Sequence, residues 1–192
     1  MKKGIAAVTG CYVLWGILPV YWKLLDEVNP AYILASRILW SMVFCGGIVL
    51  LINRQDQIKA VFRDRRECLL LFICGIMVSI NWGLYIFAVN TDHIVESSLA
   101  YYMNPIITIA IGTVFLREKL DSVQWLSVGI ALCGVLISII KYGEVPYLAL
   151  SIAVSFAIYS ALKKKVKSGG EVSIFMETFC MMPFALIFIF YR

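Results

Sequence analysis

The sequence predicts an all-α integral membrane protein, a polytopic bundle of helices, from its composition, its long apolar segments and the placement of its basic residues. Hydrophobic residues make up 61% of the 192 residues and charged residues only 15%, with a mean hydropathy of +0.87. Soluble domains average about 45–50% apolar and about 25% charged residues. The charges here are therefore too few to cover a soluble surface.

Seven apolar segments have the length, or nearly the length, to cross a bilayer. About 20 helical residues span a hydrocarbon core of roughly 30 Å. The predicted spans cover residues 5–25, 31–53, 69–90, 94–116, 123–140, 147–162 and 173–191. The fifth and sixth are shorter than this ideal. A membrane β-barrel would instead show strands of alternating polarity, whereas these segments are continuous.

Basic residues lie on alternate connections and predict the orientation. They precede the first span and follow the second, fourth and sixth, whereas the other connections hold only Lys141. Under the positive-inside rule the basic side is cytoplasmic, so the N-terminus is predicted to lie inside the cell. Nucleic acid is not an expected partner, because such a site gathers basic and stacking aromatic side chains on one exposed surface.

No pattern typical of a metal centre, a disulfide framework or an enzyme is found in the sequence. The six cysteines lie mostly within the spans and include no C-x-x-C pair, which is a common metal or redox spacing. The single histidine, His93, lies at the edge of a loop, and the sequence contains neither H-E-x-x-H nor G-x-S-x-G. We therefore expect no catalytic residue, no metal and no cofactor.

Polar side chains within the spans are the candidate functional residues, because an ionisable group in lipid needs a partner or water. Pro19 removes the backbone hydrogen bond to the carbonyl of Trp15 and predicts a kink beside Gly16. These three residues form a predicted hinge. Arg37 lies roughly 9 Å into the second span, at about 1.5 Å per residue. Glu96 is its expected counter-charge, in either a structural ion pair or a substrate site.

The third and fourth spans carry polar residues at helical spacing. Asn81 and Tyr85 share one face of the third span, beside Trp82. In the fourth span, polar and small residues recur at steps of three and four, namely Ser97, Tyr101, Asn104, Thr108 and Gly112. Such a stripe suits the wall of a hydrated cavity, with interhelical hydrogen bonding as the alternative. Pro105 frees the carbonyl of Tyr101 and adds a flexible point.

Three stretches resemble the EamA family of the drug/metabolite transporter superfamily, in its RarD-like branch of chloramphenicol-sensitive permeases. They are GCYVLWGILPVYWKLL, NWGLYIFAVNTDHIVESSLAYYMNPI and GTVFLREKL. The middle stretch is the most specific, because an Asn-Trp pair, an Asn-x-x-His turn and a Ser-Leu-x-Tyr-Tyr-x-Asn-Pro run occur in order. The resemblance implies ten helices, in two inverted repeats of five, around a substrate cavity with alternating access.

This resemblance also predicts how the chain is divided. Residues 1–141 would form the first repeat of five membrane helices, and residues 142–192 the first two helices of an inverted second repeat. A shift of 141 residues sets Trp15 against Phe156 and Lys23 against Lys164. Since only seven of ten helices are accounted for, the resemblance implies a fragment or a truncated gene product.

The leading hypothesis is a multi-pass permease of the bacterial inner membrane that moves small organic solutes or metabolites, drug export included. The predicted substrate-binding residues are Arg37, Asn81, Trp82, Tyr85, Glu96, Tyr101, Tyr102 and Asn104. The predicted hinge residues are Trp15, Gly16, Pro19 and Pro105. Expected partners are a small-molecule substrate, the lipid bilayer and, as one oligomeric alternative, a second copy in a homodimer.

Three alternatives come from different functional classes. A non-transporting seven-helix receptor fits the number of spans, but a cytoplasmic N-terminus disfavours the rhodopsin-like orientation. An intramembrane enzyme is disfavoured because the spans lack paired catalytic residues at a shared depth. An inactive fragment of a ten-helix transporter is the third alternative.

Overall fold

The computed structural model describes all residues except 1, 26, 116–118, 144–145 and 192, and the described residues form eight helices and no strand. The helices are α1 (Lys2–Lys23), α2 (Pro30–Leu51), α3 (Gln55–Arg63), α4 (Arg65–Asn90), α5 (Ile94–Phe115), α6 (Ser122–Tyr142), α7 (Tyr147–Lys163) and α8 (Gly170–Phe190). The predicted fold class, an all-α helical membrane bundle, is confirmed. Six helices (α1, α2, α4, α5, α6 and α8) are long and apolar enough to cross a membrane, while α7 is apolar but has only 17 residues.

The connection after the second span contains the nine-residue helix α3, which the seven predicted spans do not include. Many residues of this connection are charged, but within α3 they alternate with apolar residues in a short amphipathic pattern. On the inner side of that pattern, Val61 is buried against Val49, Leu71, Val172 and Met176. These apolar contacts hold α3 against α2, α4 and α8.

Side-chain caps explain where several helices begin and end. The Asn29 side chain accepts a hydrogen bond from the Ala31 N–H at the start of α2. Asp121 and Gln124 form a reciprocal capping box at the start of α6, which satisfies two backbone donors that lack intrahelical partners. Gly143 ends α6 with a φ of 83°, a left-handed conformation that glycine adopts without steric cost.

Ion pairs hold the connections at one end of the bundle together. Asp64 caps α4 by accepting hydrogen bonds from two backbone N–H groups, and Lys167 Nζ donates to its other carboxylate oxygen at 3.0 Å. This bond lowers the pKa of the Asp64 carboxyl and raises the pKa of Lys167. A second bridge joins Arg54 to Glu171 at 3.4 Å. The α3–α4 connection thus contacts the α7–α8 connection, and the α2–α3 connection contacts the first turn of α8.

The buried residues lie around α4, which packs against α2 and α8 on one side and against α5 and α7 on the other. The helix α1 packs against α4, and α6 packs against α5. Both are peripheral, since Trp22 is the buried residue of α1 and Val135 that of α6 among the side chains described. Apolar residues exposed on such helices suit contact with lipid.

At one point α4 and α8 approach so closely that only glycine fits. A methyl group added at Gly75 would lie 2.7 Å from the backbone carbonyl oxygen of Glu177. Small residues at helix crossings permit this backbone approach in membranes, where packing contributes much of the association energy. Gly75 therefore sets the distance between α4 and α8.

We expect Gly75→Ala to destabilise the protein, because the added methyl group must displace the backbone of α8. Overpacking of this kind costs about 1–3 kcal/mol, measurable as a lower free energy of unfolding in mixed micelles. Gly47→Ala is the matched control, since an added Cβ at Gly47 meets nothing within 4 Å. Equal stabilities of the two variants would contradict the close α4–α8 approach.

Candidate functional site

Five helices converge on a cavity with a volume of about 200 Å³. Its lining residues are Trp15 and Leu18 of α1, Arg37 of α2, Asn81, Trp82 and Tyr85 of α4, Ala100, Tyr101 and Asn104 of α5, and Ile152, Ala153 and Phe156 of α7. Asn104 lies halfway along α5. The cavity, hereafter the central cavity, therefore extends to mid-span depth and combines aromatic walls with a few polar groups.

The structure brings together six of the eight residues predicted to bind substrate. Arg37, Asn81, Trp82, Tyr85, Tyr101 and Asn104 all line the central cavity, whereas Glu96 and Tyr102 do not. Sequence reasoning missed the apolar contribution of α7, because Ile152, Ala153 and Phe156 carry no polar signal. The shift of 141 residues that sets Phe156 against Trp15 could have identified one of them. The binding role of all these residues stays a prediction.

Arg37 has aromatic neighbours instead of the expected carboxylate. Its Cζ lies 4.0 Å from the ring centroid of Trp82 and 5.5 Å from that of Trp22. Cation–π contacts of this kind contribute about 0.5–2 kcal/mol. Within the described part of the chain, no ion pair joins Arg37 to Glu96, so the expected counter-charge is wrong for this structure.

Glu96 instead contacts the beginning of α7. Its side chain is 7% exposed, and its Oε2 accepts a hydrogen bond from the Leu148 N–H at 3.3 Å. The first backbone N–H groups of a helix have no intrahelical acceptor, and Pro146 supplies no side-chain cap to α7. The buried Glu96 carboxylate supplies an acceptor to one of these N–H groups, so Glu96 connects α5 to α7.

Asn81 makes interhelical hydrogen bonds and also lines the cavity. Its Nδ2 donates to the Ile152 carbonyl at 2.8 Å and to the Ser155 hydroxyl at 3.1 Å. These bonds connect α4 to α7. Asn104 differs, because its Oδ1 accepts from the Thr108 hydroxyl within the same helix, at 3.0 Å. Asn81 therefore makes interhelical hydrogen bonds, the alternative given for the polar residues of the spans, and also lines the central cavity.

A second cavity of about 400 Å³ forms a cleft between α1 and α5. It is lined by Tyr12, Trp15, Gly16, Pro19, Tyr85, Ser97, Ser98, Tyr101 and Tyr102. Tyr102 is 71% exposed there. Trp15, Tyr85 and Tyr101 border both this cleft and the central cavity; we call them the aromatic partition. The ring centroids of Trp15 and Tyr101 are 6.4 Å apart, and those of Tyr85 and Tyr101 are 5.8 Å apart.

Three of the four predicted hinge residues line this cleft, whereas Pro105 of α5 does not. Gly16 and Pro19 of α1 line the cleft, and α1 stays helical through Pro19, as α5 does through Pro105.

At the end of α1, Lys23 Nζ donates to Asp92 Oδ1 at 2.8 Å, and this bond lowers the pKa of the Asp92 carboxyl. Since Asp92 lies between α4 and α5, the ion pair holds one end of α1 in place.

A separate buried polar cluster lies between α7 and α8. Glu177 is 1% exposed and forms an ion pair with Lys163. Its carboxylate also accepts hydrogen bonds from the Tyr159 hydroxyl at 3.0 Å and the Ser173 hydroxyl at 2.8 Å. The signal in the sequence is two i, i+4 pairs on successive helices, Tyr159–Lys163 and Ser173–Glu177. None of these residues lines the central cavity, so the cluster joins helices.

Comparison with known proteins identifies the family. Residues 2–140 match the EamA-like transporter family. The chain belongs to this family. It is 42% identical to YojE of Bacillus subtilis strain 168, described as an uncharacterized transporter, over 96% of this chain and 63% of that protein. No solved structure matches the chain.

The RarD-like resemblance is also confirmed. The chain is 40% identical to Protein RarD of Streptomyces exfoliatus, over 92% of this chain and 56% of the relative. It is 33% identical to Protein RarD of Escherichia coli K12, over 98% of this chain and 64% of the relative. The chain thus spans less than two thirds of the length of these EamA-family relatives. The family match and the six apolar helices long enough to cross a membrane together identify the chain as a multi-pass membrane protein.

We expect Asn81→Leu to lower the free energy of unfolding by about 1 kcal/mol, as removal of an interhelical hydrogen bond in a membrane bundle does. The variant loses both hydrogen bonds that Asn81 Nδ2 donates from α4 to α7. Asn104→Leu is the matched control, because the bond it removes lies within α5. Unfolding in mixed micelles followed by circular dichroism would give both values. A loss in Asn104→Leu as large as that in Asn81→Leu would contradict the connecting role.

Proposed function

We propose that the protein is a permease of the bacterial inner membrane that moves small organic solutes or metabolites by alternating access. The observation that carries this proposal is the central cavity, where five helices of an EamA-family chain converge at mid-span depth. Transporters built from repeats bind their substrates near the bilayer midplane, at the interface between the repeats. Drug export is one form of this activity.

The inverted-repeat division is part of the proposal. Residues 1–141 form the first repeat, and α7 begins the second within residues 142–192. In support, Trp15 of α1 and Phe156 of α7, which the 141-residue shift sets against each other, both line the central cavity. A substrate site between the first helices of two repeats would have aromatic walls from each.

A cytoplasmic N-terminus is the proposed orientation. The Arg54–Glu171 and Lys167–Asp64 ion pairs bring basic connections together at one end of the bundle. This grouping supports a single basic side, which the positive-inside rule makes cytoplasmic. Arg37 and Glu96 then lie in the outer half of the membrane.

The aromatic partition is the proposed gate between the central cavity and the α1–α5 cleft. Trp15 belongs to α1, a peripheral helix that contains Gly16 and Pro19. A small rotation of α1 would separate Trp15 from Tyr101 and join the two cavities. Such a movement of one helix against a fixed site is what alternating access requires.

To test the permease, the full-length protein is reconstituted in liposomes and assayed for uptake of radiolabelled benzoate, benzamide and chloramphenicol. We expect uptake above that of empty liposomes for at least one of these solutes. Trp15→Ala should weaken the apparent affinity about two- to tenfold, which corresponds to the loss of one aromatic contact of about 0.5–1.5 kcal/mol.

Trp125→Ala is the control for this experiment, because Trp125 is an exposed residue of α6 that lines none of the cavities described. The permease is refuted if none of the three solutes enters faster than into empty liposomes. Equal effects of Trp15→Ala and Trp125→Ala would exclude the aromatic partition from transport.

A further inference from the structure

We propose that the central cavity binds a small organic anion, a carboxylate of about the size of benzoate, and that Arg37 receives its charged group. This inference rests on the proposed function and names its substrate class. It follows from the charge of the cavity, the free hydrogen-bonding edge of the guanidinium and the shape of the walls.

The described lining of the central cavity contains one charged side chain, Arg37. Placing an arginine at depth in a membrane costs free energy unless an anion, a dipole or water compensates its charge. Carboxylates elsewhere in the bundle have other partners: Glu96 accepts from Leu148, and Glu177 is paired with Lys163. Within the described residues the central cavity therefore has a net positive charge.

The Arg37 guanidinium lies over the indole ring of Trp82. Cζ lies 4.0 Å from the ring centroid of Trp82, which gives a stacked or nearly stacked cation–π contact. The five N–H donors of a guanidinium point outward in its own plane. A planar group stacked on a ring keeps this edge for a ligand, and the edge matches the two oxygens of a carboxylate.

A second donor lies beside the guanidinium. The indole Nε1 of Trp22 is buried and has no hydrogen-bond partner in the described part of the structure, and the Trp22 ring centroid lies 5.5 Å from Arg37 Cζ. Trp22 does not line the central cavity but a neighbouring cavity that Arg37 also lines. Buried N–H groups normally have an acceptor. An oxyanion held by Arg37 is one acceptor that could approach this N–H.

The walls of the cavity select the rest of the solute. Trp15, Trp82, Tyr85, Tyr101 and Phe156 present aromatic surface, which favours a flat apolar body. The volume of about 200 Å³ is below the roughly 300–1,000 Å³ typical of sites for drug-sized ligands. A carboxylate on a single ring fits both conditions.

A purely structural role for Arg37 is the competing explanation, in which the two tryptophans anchor the side chain and no anion binds. Variants of a structural arginine lose stability, but the wild-type protein would not distinguish an anion from a neutral molecule of the same shape. The wild-type comparison of such a pair therefore separates the two explanations without any substitution.

The test uses the full-length protein in lipid nanodiscs and isothermal titration calorimetry. Two pairs of probes have nearly the same shape but differ in charge: benzoate with benzamide, and nicotinate with nicotinamide. We expect each anion to bind at least about tenfold more tightly than its neutral partner, as a charged hydrogen bond implies. Equal affinities within both pairs, or binding of neither anion, would overturn the inference.

Variants of Arg37 test whether this residue receives the charged group of the anion. Arg37→Gln should weaken benzoate binding about tenfold to a hundredfold and leave benzamide binding within about threefold. Arg37→Lys should retain part of the preference, because it keeps the charge but loses the planar fork. Arg54→Gln is the control, since Arg54 pairs with Glu171 outside the cavity. An unchanged benzoate preference in Arg37→Lys and Arg37→Gln alike would assign the anion to another site.

The outcomes also separate this inference from the permease. Binding of benzoate without uptake of any solute would reject transport and leave the anion site. Uptake of chloramphenicol or benzamide, with no binding of benzoate or nicotinate, would reject the anion site and leave the permease. If Arg37→Gln does not fold, the wild-type pairs and Arg37→Lys still decide the question.

Discussion

A polar group in hydrocarbon must be hydrogen-bonded, paired or hydrated, and this constraint determines how the helices of this protein pack. Three contacts to α7 satisfy it. Asn81 donates to the Ile152 carbonyl, Glu96 accepts from the first turn of α7, and Lys163 pairs with Glu177 of α8. The helix α7 is thereby fixed against α4, α5 and α8, and one wall of the central cavity is fixed with it.

The polar residues of the spans fall into two groups with different consequences. Asn81, Glu96 and the Glu177 cluster use their hydrogen-bonding capacity mainly on other helices, and such bonds contribute of the order of 1 kcal/mol each in membranes. Arg37 and Asn104 lie at the central cavity. Among the described hydrogen bonds, neither residue makes one to another helix, although Arg37 contacts the Trp82 and Trp22 rings. The first group holds the bundle together, and the proposed function assigns the second group to a solute and water.

Helical periodicity made much of this predictable. Residues three or four apart share a face, so Tyr101 and Asn104 could be placed together, and so could Asn81 and Tyr85. The pairing of Glu96 depends on how α5 and α7 cross, which no spacing within one helix reveals. The cavity wall from Ile152 to Phe156 was not predicted, because its residues are apolar and give no polar signal. The short apolar face of α3 was not predicted either, because charged residues surround it in the sequence.

The central claim is that water reaches polar side chains at mid-span depth, and thiol accessibility tests it most directly. The six native cysteines are replaced, Asn104→Cys or Ile130→Cys is introduced, and each variant is exposed to a membrane-impermeant methanethiosulfonate reagent in liposomes. Ile130 is exposed on the peripheral helix α6 and serves as the apolar control. The account predicts modification of Asn104→Cys and protection of Ile130→Cys, and an Asn104→Cys variant as unreactive as the control would contradict it.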